Sequence, residues 1–111
     1  MRSHYCGEVN SRLEGKEVSI TGWVHRRRDH GGVIFVDLRD RYGTTQLVFN
    51  MEINTELCHQ ARTLGREDVI QIEGNVIARA SINKDMNTGD IEVDVYKLSI
   101  LNKSKTPLSS A

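Results

Sequence analysis

Three consecutive arginines, Arg26, Arg27 and Arg28, stand shortly before an isolated ring, Phe35. A flat apolar ring beside cations suits single-stranded nucleic acid, because a base stacks on the ring while guanidinium groups neutralise phosphates. That use requires Phe35 to face solvent. Ile34, Val36 and Leu38 alternate with Val33, Phe35, Asp37 and Arg39, so a strand that buries the first set presents the second. The same parity turns Gln46 outward on the next strand, where Leu47 and Phe49 go inward, and turns Arg79 and Glu92 outward on two later strands. Glutamine donates and accepts together, and glutamate accepts from amino or imino groups, so both suit the edge of an unstacked base. Ordinary readings stand beside these: an outward ring can cover a neighbouring domain, and Arg79 with Glu92 can make a cross-strand ion pair of little value.

Arg26 and Arg28 do not fit the count. Continuing from Val24 they point inward, which a small core does not tolerate for guanidinium groups. Either the strand has left the barrel by Arg26 or it coils there. Trp23 has outward parity, and a structural use, packing under a loop or an extra helix, is expected of it. Catalytic chemistry finds no support. Ser11, Ser19 and Thr21 lack a suitably placed histidine and aspartate. Cys6 and Cys58 are isolated, and the adjacent Cys58 and His59 point apart on a helix, so neither a disulfide framework nor a metal site is expected.

The elements that must position these groups follow from periodicity. Val18, Ile20, Gly22 and Val24 alternate with polar neighbours and Trp23, predicting a first strand, and a turn at residues 29–32 leads to the second. A further turn at residues 40–43 leads to a third strand over residues 44–50. Ile53, Leu57, Ala61 and Leu64 form one helical stripe, with Asn54 as N-cap and Gly65 as the stop. Residues 68–79 form a fourth strand, residues 83–89 a polar loop, and Ile91, Val93 and Val95 a fifth. A bulge at Tyr96 and Lys97 would turn Leu98 and Ile100 inward. The order β-β-β-α-β-β, with a long bent first strand containing Gly22, predicts an all-β fold with one helix: a five-stranded OB-fold barrel over residues 16–102. Residues 1–15 form an extension in which Val9 and Leu13 make one short helical turn, and residues 103–111 read as a linker.

At 111 residues the chain suits one domain, and it has no signal-peptide pattern and no apolar run near membrane-spanning length. A soluble intracellular protein is expected. Its net charge is zero, which argues against bulk attraction to nucleic acid, but the distribution is uneven. Residues 20–50 carry five arginines against three aspartates, whereas residues 51–100 carry nine acids against five bases. The basic segment is the one that contains the ring.

The run Trp-Val-x-Arg-Arg-Arg-Asp…Phe-x-Asp-x-Arg-Asp-Arg between residues 23 and 41 resembles the N-terminal anticodon-binding domain of bacterial-type aspartyl-tRNA synthetases, class II enzymes. Residues 1–7, 69–79, 85–93 and 101–107 extend the similarity over nearly the whole chain. The resemblance implies a cytoplasmic module that grips the anticodon loop of tRNA for aspartate. Phe35 would stack on the central uridine and Gln46 would help to read it. Glu92 would read the first anticodon base, Arg79 would lie against the third, and Arg26 and Arg28 would hold loop bases and phosphates. His30 falls where the family separates aspartate from asparagine tRNAs. The resemblance further implies no cofactor for this domain, ATP and magnesium being used by a catalytic domain outside it. The full-length parent would be a homodimer and the isolated domain a monomer, with no membrane association.

Three departures stand out. Ile77 occupies a position where relatives often carry arginine, and Ser81 one where some carry asparagine. The ending Leu108-Ser-Ser-Ala111 departs from the usual second proline, so truncation or recombination at a domain boundary is expected, and the chain alone would not aminoacylate. The alternative is a freestanding OB-fold that binds single strands generally or docks on a protein.

Overall fold

The computed structural model describes residues 4, 6–79 and 90–103. The expected polar loop at residues 83–89, Ser81 and the linker residues 104–111 lie outside the described residues. Five strands and one helix follow the expected order: β1 (Glu17–His30), β2 (Val33–Asp40), β3 (Gly43–Asn50), α1 (Thr55–Ala61), β4 (Val69–Ala78) and β5 (Ile91–Asn102). The strands close into a barrel in the order β1-β2-β3-β5-β4, with β1 also paired to β4. All pairings are antiparallel except β3 with β5, where Leu47 lies opposite Val93 and Val48 opposite Asp94. This is the OB-fold barrel that the sequence predicts.

The inward sets meet as one core. Ile20, Val24, Ile34, Val36, Leu38 and Phe49 are fully buried together with their counterparts on β4 and β5. The β1–β2 turn is tighter than expected, because both strands run on until only Gly31 and Gly32 separate them. Gly31 takes the left-handed φ of 63° that such a turn favours.

Three further details differ from the sequence reading. The helical stripe loses Ile53, which is 74% exposed, because the chain is still in the turn after β3 at that point. Asn54 does cap α1, accepting from Leu57 N at 3.0 Å, and the buried face is Leu57, Cys58 and Ala61, continued by Leu64. A bulge does occur in β5 at Tyr96, which is skipped between the pairs Glu73–Lys97 and Gly74–Val95. Leu98 then packs against the core, but Ile100 is 39% exposed beside a second register irregularity, at Val69/Ile70. The N-terminal extension makes two 3₁₀ turns rather than one, Cys6–Glu8 and Ser11–Leu13, with Val9 fully buried between them. Cys6 N donates to Asp40 Oδ2 at 2.8 Å, and Thr45 Oγ1 donates to Cys6 O, which fastens the extension to the barrel.

The bend of β1 depends on Gly22. A Cβ there would lie 2.5 Å from Arg39 O on β2, a backbone atom that cannot swing away. Gly22→Ala is therefore expected to destabilise the fold by about 1–3 kcal/mol, as overpacking does. Urea unfolding would read this as a lowered midpoint; an unchanged midpoint would show that β1 can shift freely there.

Candidate nucleic-acid interface

The two misfit arginines are explained by a bulge. Val24 pairs with Leu38 and Arg26 with Asp37, so His25 is the extra residue in β1. One inserted residue reverses the side-chain alternation beyond it. Arg26 and Arg28 thus join the outer face, as register partners of Asp37 and Phe35. Arg27 takes the other side. Its Nη1 donates to the carbonyl of Arg62 and, at 3.2 Å, to that of Leu64, just past the end of α1. Its Nε also pairs with Asp29 at 3.4 Å, so the middle arginine of the run is committed to structure.

On the outer face Phe35 is half-buried between two neighbours from β1. The His30 ring meets it edge-on, with centroids 5.6 Å apart and planes at 71°, and Arg28 Cζ lies 5.7 Å from its centroid. The ring is thereby braced on two sides, a cation–π and an aromatic contact each contributing about 0.5–1 kcal/mol or more. Trp23 is half-buried and lines a surface cleft of about 400 Å³ with Thr21, Gly22, Asp40, Arg41, Tyr42 and Val69. It is not among the groups around Phe35.

Gln46 differs from the parity expectation in degree. It has outward parity, but it is only 3% exposed and bonded at both ends. Arg28 Nη2 donates to its Oε1 at 2.7 Å, and its Nε2 donates to Glu92 Oε1 at 2.8 Å. The parallel pairing of β3 and β5 brings this about, since Gln46 and Glu92 each precede one member of the Leu47–Val93 pair. Arg28 Nη2 also donates to Asp37 Oδ1 at 3.2 Å. The result is a polar seam across four strands: Asp37, Arg28, Gln46, Glu92.

Arg79 follows β4 directly, its N–H donating to Asp90 O at 3.2 Å. Its charge acts on Glu92. Burial pushes the Glu92 carboxyl above its ordinary value of 4.5. The Gln46 hydrogen bond and the Arg79 charge oppose that rise, and Asp94 adds to it. Ile77, exposed, is the register partner of Glu92, so the departure from arginine at this position falls on the same face. Among the described residues, Arg28 Nε and Arg79 Nη1 are shielded from solvent without a hydrogen-bond partner. Buried donors left unsatisfied cost about 1–3 kcal/mol each, and an incoming acceptor would recover part of that cost.

The structure thus gathers Arg28, Phe35, Gln46, Arg79 and Glu92 on one face and leaves Arg26 exposed beside them. Sequence reasoning missed Asp37. The available signal was its outward parity two residues after Phe35. Such a surface can stack a base, accept phosphate at its guanidinium groups and offer an amide and a carboxylate to base edges. Among the described residues there is no cluster of metal-ligating groups and no helix long and apolar enough to cross a membrane.

Comparison with known proteins agrees with this class. Residues 18–101 match the tRNA anti-codon family, described as an OB-fold nucleic acid binding domain, and the chain belongs to that family. It is similar to the aspartate-tRNA ligase of Bacteroides thetaiotaomicron, 55% identical over 106 residues. The aspartate-tRNA(Asp/Asn) ligase of Desulfatibacillum aliphaticivorans is 53% identical over 108 residues. Each match covers 96% of the chain, which spans 18% of the length of these relatives. Among solved structures, the asparaginyl-tRNA synthetase of Pyrococcus horikoshii superposes with a TM-score of 0.79 at 34% identity, over 94% of this chain and 24% of that one. An OBody bound to hen egg-white lysozyme gives 0.84 at 31% identity, covering 94% and 96%.

The raised pKa of Glu92 gives a signed expectation. A carboxyl that holds its proton more tightly when folded adds stability below its unfolded pKa and loses it as pH rises through the folded value. Relative to the wild type, Glu92→Gln should therefore gain stability as pH rises from about 4.5 through the raised folded pKa and then level off. Urea titrations across that range would check this, and a difference independent of pH would contradict it.

Proposed function

We propose that this chain is the anticodon-reading module of an aspartate-tRNA ligase and binds the anticodon loop of tRNA for aspartate. The observation that carries the reading is the braced Phe35 ring beside the seam of Arg28, Gln46 and Glu92 on one face of the barrel. Family membership and the similarity to aspartate-tRNA ligases support it. In this reading the central base stacks on Phe35 and meets Gln46, while Glu92 reads the first base and Arg79 lies against the third. Arg26 and Arg28 hold loop bases and phosphates, Arg28 through its Nε, unpaired among the described residues, while its Nη2 stays on Gln46. Because Gln46 is 3% exposed, a base reaches its amide only where side chains beside it, other than the bonded Arg28 and Glu92, give way.

The module needs no cofactor of its own. The ATP- and magnesium-dependent charging of the tRNA would reside in parts of the ligase outside these 111 residues, in a homodimeric cytoplasmic enzyme.

Titration with RNA hairpins tests the reading. The chain should prefer a hairpin carrying the aspartate anticodon over hairpins altered at the central or first base. Phe35→Ala should weaken binding by about 1–3 kcal/mol, the worth of one base–aromatic stack, and lower stability by about 1–2 kcal/mol through the two lost bracing contacts while leaving the barrel folded. Gln46→Ala should flatten the preference at the central base, and Glu92→Ala that at the first. Equal binding of every hairpin and of unrelated single strands would favour a general OB-fold binder. Absence of RNA binding would favour protein docking, the use that the lysozyme-bound OBody makes of a similar barrel.

A further inference from the structure

The Gln46 amide is polarised from both sides. A guanidinium faces its oxygen at 2.7 Å and a carboxylate faces its nitrogen at 2.8 Å. Turning the amide over would set NH₂ against guanidinium and oxygen against carboxylate, so two unfavourable contacts would replace two favourable ones. One lone pair and one N–H of the amide remain beyond these bonds. Their order along the surface is then fixed, with the acceptor on the Arg28 side and the donor on the Glu92 side.

That order holds only while Arg28 stays in place. Arginine is long and flexible, and although its guanidinium lies over the Phe35 ring while it holds Gln46, a phosphate on this face would compete for it. Asp37 is what ties it down. Its Oδ1 accepts from Arg28 Nη2 at 3.2 Å, the same nitrogen that donates to Gln46. The strand register supports this arrangement, because Asp37 is the pairing partner of Gln46 on β3 while Phe35 is that of Arg28 on β1.

We propose that Asp37 is a positioning residue for base recognition, anchoring Arg28 so that the Gln46 amide presents its donor and acceptor in one order only. The inference rests on reading this face as the anticodon site. It commits to a base class: a pyrimidine with an imino donor beside a carbonyl acceptor, as in uridine, complements the anchored amide. Cytidine offers a ring-nitrogen acceptor beside an amino donor, the reverse order. Asp37 itself need not touch RNA.

The test compares wild type, Asp37→Ala and Asp37→Asn, each titrated with anticodon hairpins carrying uridine or cytidine at the central position. Wild type should prefer uridine. Asp37→Ala should lose roughly three- to tenfold of that preference, the scale of one hydrogen bond, and keep its preference at the first base. Asp37→Asn, which retains an acceptor of the same shape, should lose less. In the RNA-free chain, the Gln46 side-chain NH₂ resonances should be distinct and slow to exchange in wild type, and collapse toward those of a free amide in Asp37→Ala. A uridine-to-cytidine ratio unchanged in both variants, or equal weakening of all hairpins, overturns the positioning role while leaving the anticodon reading intact. A wild type indifferent to the central base overturns both.

Discussion

The parallel contact between β3 and β5 is the constraint on which the rest turns. Those strands are far apart in sequence, and pairing at Leu47–Val93 and Val48–Asp94 is what closes the sheet on itself. Closure removes the open strand edges that a five-stranded sheet would otherwise expose. It also puts Leu47 and Val93 into one core and, one residue earlier on each strand, sets Gln46 against Glu92 on the outside. Core and candidate site are thus two faces of the same register. A slip of one residue in β5 would drive Glu92 inward and break the seam at the same moment.

The outer face is a compromise between folding and binding. A buried amide, a half-buried carboxylate and two guanidinium groups are costly unless each finds a partner. The seam satisfies most of them, with Asp37, Arg28, Gln46 and Glu92 bonded in succession. What it leaves over is informative. Arg28 Nε and Arg79 Nη1 are shielded yet unpaired among the described residues, and burial raises the Glu92 pKa despite two opposing influences. Unspent donors beside a braced ring are what a polyanion with stacking bases would use. The structural duties of the basic run go to Arg27, which holds the carbonyls after α1 and leaves Arg26 and Arg28 for the outer face.

Much of this was legible in the sequence, because period-two alternation carries both halves of the answer. The residues that fill the barrel identify, by exclusion, those that cannot, so Phe35, Gln46 and Glu92 emerged as outward without any structure. Alternation fails where backbone irregularity enters. The His25 bulge shifts the parity of everything after Val24, and no residue type there announces it, so Arg26 and Arg28 appeared to point inward. Ile53 misled for a different reason: helical spacing extends past an N-cap on paper, whereas the chain before Asn54 is still turning. The burial of Gln46 and the role of Asp37 depend on neighbours across three strands, which a linear pattern does not encode.

If one face of this barrel reads RNA, chemical-shift mapping of the chain with an aspartate-anticodon hairpin will locate it. The largest perturbations should fall on the Phe35 ring, the Gln46 side-chain amide and the surroundings of Arg28, Arg79 and Glu92, with α1 undisturbed. Perturbations centred instead on the Trp23–Tyr42 cleft or on α1, with the Gln46 amide unmoved, would contradict that reading.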